Sequence, residues 1–384
     1  MDSLAAALEE RWVPALIASW RRACRTRGPA GELLASEVKQ VAAGVRRLSL
    51  GLTRERSLIG ARYMEDPELL GAYLLFYWPI SYAQGRSVLS ELAAPPGRVL
   101  DLGSGPGPLT FAAYDRGARE LIAADRSNPA LTMARSIAEQ AGLRGLVTQR
   151  WDGLQGGELP AGRFDLIALG HVLNELWAGH EAAGPNRADL LERLLGILTP
   201  GGSLMILEPA LRETSRGLLE VRDLLVERGF TIRAPCLVGG SCPALEKAGD
   251  WCHADRPWTA PPLVREIGEL AKIHKNSLKM SYLLVGPKEE AGPVAEPRPG
   301  LFRIVSEPLP SKGRLRYMGC GPKGRLGLSL QTRLLGPANE AFASLRRGDV
   351  VEVEGTGERG DGLALEEGGA VRLVAKAGEA LPIG

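Results

Sequence analysis

RVLDLGSGPG, residues Arg98 to Gly107, carries three glycines directly behind a short apolar run and ahead of a stretch with helical spacing. Glycine at these points lets the backbone turn tightly and approach a ligand that any side chain would hold off. Outward from this run, short apolar strands alternate with longer amphipathic stretches. The strands fall at Val99 to Leu102, Leu121 to Asp125, Leu146 to Gln149, Phe164 to Leu169 and Ser203 to Leu207, with a last one at Met280 to Gly286. That alternation predicts an α/β domain over residues 96–286, a parallel sheet flanked by helices.

The loop reads D-x-G-x-G-x-G, whereas dinucleotide sites prefer G-x-G-x-x-G. In that form it resembles the turn of Rossmann-like S-adenosylmethionine (SAM) methyltransferases, so Asp101, Gly103, Ser104, Gly105 and Gly107 are candidate binding residues. SAM has no pyrophosphate to seat on a helix N-terminus, and an acid at Asp101 suits its cationic methionine end, directly or through water. Asp125 ends the second strand, where a carboxylate can accept both ribose hydroxyls. Asp152 follows the third strand and can face the adenine amino group. The competing reading of each acid is a solvated loop carboxylate or a helix cap. After the fourth strand, FDLIALGHVLNELW (Phe164 to Trp177) lacks the Asn-Pro-Pro-aromatic run common in enzymes that methylate base amino groups. His171, Asn174 and Glu175 read either as pocket residues or as the capping of a helix start. No catalytic residue is assigned.

Residues 1–95 read as a helical region, with helical spacing from Leu4 to about Leu50 and again from Asp66 to Leu92. PKEEAGPVAEPRPG, Pro287 to Gly300, has linker composition. Beyond it, 301–384 carries short strands between Gly-rich turns and predicts a small β-barrel-like domain. A cysteine-rich insertion at 235–258 holds Cys236, Cys242 and Cys252, and Cys320 lies beyond the linker. No pair of C-x2-C units is present, so a compact zinc ribbon is not the first choice. Four thiolates from separated segments suit a cubane iron-sulfur cluster at least as well, with zinc the alternative and His253 a competing ligand. Cys24, in a helical Arg-rich setting, reads as an ordinary unpaired thiol.

The chain's 384 residues carry a formal net charge of +2 and five cysteines. A balanced charge excludes a global field for nucleic acid, so any such partner must be met by local patches. The longest apolar stretches are too short to cross a bilayer, and the acidic N-terminus predicts no leader and a cytoplasmic location. From Pro308 to Asn339 there is no acidic residue, while Lys312, Arg314, Arg316, Lys323, Arg325 and Arg333 supply six positive charges. That strip suits a phosphate backbone, or is simply a solvated face.

Arg62-Tyr63, GAYLLFYWPISYAQGRSVLSEL (Gly71 to Leu92), VLDLGSGPG, GHVLNELW and the APC, SCP and DWCH runs occur in this order. Together they resemble the mitochondrial small-subunit ribosome assembly family of Rsm-twenty-two type, whose bacterial members are included, over about residues 60 to 320. The resemblance implies a SAM-methyltransferase fold and association with small-subunit ribosomal RNA or the assembling small ribosomal subunit. It also implies a 4Fe-4S cluster on Cys236, Cys242, Cys252 and Cys320. Two activities stay open: methyl transfer to ribosomal RNA, and RNA binding as an assembly factor without transfer. A zinc-bearing methyltransferase of another substrate is the remaining alternative.

Overall fold

A computed structural model of the chain describes residues 2–51, 66–154, 157–288, 298–309 and 311–381. Arg62-Tyr63 and most of the 287–300 linker lie outside the described residues. The N-terminal helices form as their spacing predicts. α1 (Asp2–Ala6) passes through a π-helical segment, Ala7–Trp12, into α2 (Val13–Cys24), and α3 (Ala35–Ser49) follows. Asp66 caps α4 (Pro67–Ala72) by accepting the N–H groups of Glu68 and Leu69. α4 continues through a second π-helical segment, Tyr73–Tyr77, into α5 (Trp78–Leu89).

The sheet region runs β1 (Arg98–Leu102), α6 (Pro108–Arg116), β2 (Glu120–Asp125), α7 (Asn128–Gln140), β3 (Leu146–Arg150) and β4 (Phe164–Gly170). It continues α8 (Ala183–Leu195), β5 (Leu198–Pro209), α9 (Arg212–Glu227), β6 (Thr231–Ala234), β7 (Ala254–Pro257), α10 (Pro262–Ala271) and β8 (Ser277–Gly286). Strand order is β3-β2-β1-β4-β5-β8-β6, with β7 also on β8. The first five strands are parallel, and β8 is antiparallel to its neighbours. The order reverses between β1 and β4, the switch point at which doubly wound sheets bind ligands beyond their strand ends.

Alternation along the strands divides the core into two layers. Val99, Leu166, Ala168, Met205, Leu207 and Tyr282 face a cluster shared with α2, α3 and α5. Leu100, Ile167, Leu169, Leu204 and Ile206 face the opposite cluster, built on α8 and α9. In the first layer Trp12 packs on Phe111 at 4.8 Å and Trp78 stacks on Tyr82 at 5.4 Å. The polar tips of these rings are satisfied, since Trp12 Nε1 and Tyr82 Oη both donate to Asp115, at 2.7 and 2.5 Å. The helical residues therefore cover one face of the sheet.

β9 (Leu301–Ile304), β10 (Arg314–Gly321), β11 (Gly324–Gln331), β12 (Val350–Arg359) and β13 (Gly362–Ala375) close into a barrel in the order β10-β11-β13-β12-β9. β11 and β13 pair in parallel and the other pairs are antiparallel. Phe342, on a short 3-10 turn between β11 and β12, is fully buried in the barrel core. A five-stranded Greek-key barrel of this connectivity is an OB-fold. Among the described residues no helix is long and apolar enough to cross a membrane.

The barrel meets the sheet at a buried carboxylate. Glu91, just past α5, accepts from Arg256 of β7 at 3.0 Å and from the Tyr282 hydroxyl of β8 at 2.6 Å, and lies 3.6 Å from Arg303 of β9. Its side chain is 2 % exposed. Removing one member of a buried ion network strands the other charges away from water, at a cost of about 3–5 kcal/mol. Glu91→Ala should lower the unfolding midpoint accordingly in a denaturant titration. An unchanged midpoint would show that these charges are solvated after all.

Candidate functional site

At the switch point, the loop after β1 holds Gly103, Gly105 and Gly107 at φ +68, +53 and +81. A Cβ on Gly103 would meet Val172 at 2.6 Å, so positive φ and close approach both require glycine there. The indole of Trp78 donates to the Pro106 carbonyl at 3.1 Å and braces the loop from α5. Asp101, at the buried end of β1, is 1 % exposed, and its Oδ2 accepts the N–H and hydroxyl of Thr110 at 2.9 and 2.7 Å. Its Oδ1 is buried without a partner. Burial raises this carboxyl to about 7, against the lowering effect of the Thr110 bonds and with a smaller push from Asp125.

Asp125 ends β2 and accepts the N–H of Gly105 at 2.8 Å and that of Ser127 at 2.8 Å, tying the glycine loop to the neighbouring strand. Burial raises its pKa as well. Asp152 accepts from the Leu154 N–H at 3.0 Å in the turn after β3. The Ser104 hydroxyl donates to the adjacent Gly105 carbonyl at 3.3 Å, and its N–H donates to the Ala124 carbonyl of β2 at 3.1 Å.

Tyr73, in the π-helical segment ahead of α5, stacks on Tyr77 and feels the charges of this site. Burial pushes its hydroxyl well up from the ordinary range, and the fields of Asp101, Asp125 and Glu175 push the same way.

The segment after β4 is a run of turns, and the next helix, α8, begins at Ala183, so the expected helix start at Asn174 is not formed. Asn174 instead donates its N–H and side-chain amide to Glu208 at 3.2 and 2.5 Å, while Arg187 holds its carbonyl at 2.9 Å. Glu208, at the end of β5, is 1 % exposed, and burial lifts its carboxyl to about 8. An acid closing the apolar run Leu204 to Leu207 was a legible signal for it. His171 lies at φ +59, a strained conformation for a bulky residue, with Nε2 3.3 Å from the Gln84 side-chain carbonyl and Nδ1 buried without a partner. Burial lowers its pKa to about 4, so the ring is neutral.

The cysteines collect where the insertion meets the barrel. Cys236, Cys252 and Cys320 line one cavity with Arg256, Arg303 and Arg347. Cys242 is off that wall, packed with Leu219, Ala244 and Cys252. Burial raises all four thiols, Cys242 to about 11 and Cys320 to about 12, and Cys320 feels the other three. α9 stitches the insertion in place. Arg216 donates to the carbonyls of Ala244, Lys247 and Asp250, and Arg222 donates to those of Val238 and Gly240. The Nε atoms of Arg222, Arg256, Arg303 and Arg325 are buried without partners. Among the described residues no group of three or more His, Cys, Asp or Glu side chains is gathered so as to hold a metal ion. His253 stacks on Trp251 at 4.3 Å, and Cys24 is a free thiol.

The basic strip is divided by the fold. Arg325 pairs with Asp250 of the insertion at 2.5 Å and is 19 % exposed, which withdraws it from the solvent-facing set that its sequence neighbours suggest. Lys312, Arg316, Lys323 and Arg333 are exposed.

The family model described as mitochondrial small ribosomal subunit Rsm22 matches residues 68–352. No curated protein matches the chain in sequence. Among solved structures, the ribosomal protein L11 methylase of Lactobacillus delbrueckii subsp. bulgaricus aligns at 19 % identity over 54 % of this chain and 78 % of its own, with a TM-score of 0.34. The Bacillus subtilis tRNA methyltransferase TrmK aligns at 14 % over 54 % and 65 %, with a TM-score of 0.32. A precorrin-6y C5,15-methyltransferase of Geobacter metallireducens aligns at 13 % over 54 % and 87 %, with a TM-score of 0.34. Alignments this distant say nothing of this chain's chemistry.

The Asp101 carboxyl makes a test independent of any ligand. Its folded pKa lies above its unfolded value of about 3.9. Its contribution to stability is therefore full below that value and is lost as pH rises through about 7. Asp101→Asn should gain stability relative to the parent between about pH 4 and pH 8 in paired unfolding titrations. A stability difference that does not vary with pH would show that the carboxyl titrates normally.

Proposed function

The chain belongs to the mitochondrial small ribosomal subunit Rsm22 family, and from that membership we propose that it is a SAM-binding, methyltransferase-like protein that works with small-subunit ribosomal RNA. The observation that supports the SAM assignment is the unpartnered, buried Oδ1 of Asp101 at the switch point, next to a glycine loop whose Gly105 N–H is held by Asp125. An anionic, glycine-lined pocket suits a cationic ligand that needs close backbone approach. Asp101 would hold the charged methionine end, Asp125 the ribose hydroxyls and Asp152 the adenine amino group, with Gly103, Ser104, Gly105 and Gly107 forming the floor. When bound, SAM supplies an electrophilic methyl group on its sulfonium.

One observation favours the reading without methyl transfer. Asn174 is engaged by Glu208 and Arg187, and His171 faces Gln84, so the polar groups after β4 serve the fold first. Methyl transfer from labelled SAM to small-subunit RNA decides between the two.

The four cysteines would hold a 4Fe-4S cluster, with zinc the alternative. A single ion needs its thiolates within one coordination sphere, whereas a cubane takes one thiolate at each separate corner. Thiols raised by burial must lose protons on loading, and the orphaned Nε–H groups of Arg222, Arg303 and Arg325 would offer hydrogen-bond donors near the thiolates. On this reading 1–95 cover the methyltransferase-like domain of 96–286, and 301–384 are a barrel joined to it through Cys320. The location we propose is cytoplasmic.

Gly105→Arg should abolish SAM binding in calorimetry, and Asp125→Ala should weaken it by about tenfold or more, as loss of charge-assisted hydrogen bonds requires. A cationic ligand favours ionised Asp101, so affinity should climb as pH rises towards about 7 and then level off. Unchanged affinity in both variants removes the site.

Anaerobically purified protein should be brown with about four irons per chain, and Cys320→Ser should lose iron. Colourless protein with one zinc would favour the alternative.

A further inference from the structure

The barrel's connectivity identifies its outer face on β10 and β11. Tyr317, Leu328 and Leu330 point into the core. Alternation therefore puts Arg314, Arg316, Met318 and Cys320 of β10 outward, opposite Gln331, Ser329, Gly327 and Arg325 of β11. These are the second and third strands of the OB-fold, the face on which such barrels hold oligonucleotides, between the loop after the first strand and the hairpin joining the last two. Lys312 lies in that loop, and the Gly327–Gly362 pairing brings the β12–β13 hairpin, with exposed Arg359, alongside.

We infer that the outer face of β10 and β11, from Lys312 through Arg314 and Arg316 to Met318 and Gly327, is a track for single-stranded RNA, with the cysteine site at its end. The inference rests on the ribosomal-RNA reading and deepens it by naming the surface and the strandedness of the ligand. Charge favours a phosphate backbone, because among the described residues neither Arg314 nor Arg316 has an acidic side-chain partner and both project from the same face of β10. Shape favours one strand. Two β-strands span only about 10 Å, a width that suits one nucleotide chain rather than a duplex. At the middle of the face Gly327 has nothing within 4 Å of the position a Cβ would take, which leaves a flat floor opposite the partly exposed Met318.

Two boundaries fix where the track runs. On the β12–β13 side, Glu358, Glu366 and Glu367 line the adjoining groove with Arg333 and Arg359, which leaves that wall with an excess of negative charge that disfavours phosphate. At the far end, Cys320 and Arg325 continue the same face, but they are turned into the insertion, where Arg325 is held by Asp250. The track therefore opens at Lys312 and closes at the cysteines. Tyr317 is buried in the barrel core, so its ring is withdrawn from this face and the arginines meet the phosphates.

The test uses the full chain and two labelled probes, a uridine oligomer of about twelve nucleotides, within OB-fold site sizes, and an RNA duplex of equal length. Binding is measured across salt concentrations. The parent should prefer the single strand. Arg314→Glu with Arg316→Glu should weaken that binding about tenfold near physiological salt and flatten the slope of log affinity against log salt by about 1.4, two phosphates at about 0.7 each. Arg314→Lys with Arg316→Lys should restore most of the slope, and unfolding midpoints should match the parent's. Equal affinity for the two probes, or an acidic double variant that binds like the parent, overturns the track. If the parent meanwhile still binds small-subunit RNA, the broader reading stands without it. A parent that binds neither probe nor small-subunit RNA brings down both.

Discussion

The buried Glu91 carboxylate, shared by Arg256, Tyr282 and Arg303, is the constraint on which the arrangement of the two domains depends. Charges removed from water this completely are tolerable only while every partner stays in place. Arg256 comes from β7, Tyr282 from β8 and Arg303 from β9, so satisfying one carboxylate fixes a sheet edge and a barrel strand together. Cys320 pairs in register with Arg303. The ion network therefore also sets where the barrel's thiol stands relative to the thiols of the insertion.

Much of the sheet was legible because its strands are apolar and its helices periodic. The glycine loop and the five parallel strands stand where the pattern of Val99 to Leu207 puts them. β6 and β7 were not legible. Thr231–Ala234 and Ala254–Pro257 are short, carry charged residues, and exist as strands only because β8 offers partners on its edge. A small β-barrel-like domain was legible from short strands between Gly-rich turns, but the parallel β11–β13 pair that makes the barrel an OB-fold is a long-range contact with no local signature.

The candidate site divides in the same way. Asp101 and Asp125 announce themselves as acids near the ends of apolar strands. Charge counting misplaced Arg325, since nothing near it in sequence points to an ion-pair partner 75 residues earlier. Helix-start chemistry likewise failed at Asn174, where a buried acid from β5 outcompeted local capping for the side-chain amide. In each case the deciding partner was distant along the chain and buried.

One helix connects all three regions. Trp78, at the start of α5, holds the glycine loop through Pro106. Gln84, in its middle, donates to the Lys279 carbonyl of β8 and faces His171 after β4. Glu91, just past its end, anchors the barrel. At 1.5 Å per residue these three side chains span about 20 Å along one continuous rod. α5 is packed by Trp12, Phe111 and the sheet, so these three contacts stand at fixed separations. The glycine loop and the barrel are braced by the same element, and the barrel carries both Cys320 and the β10–β11 face. The geometry that positions a nucleotide-like ligand and the geometry that orients the basic face are thus set by one element.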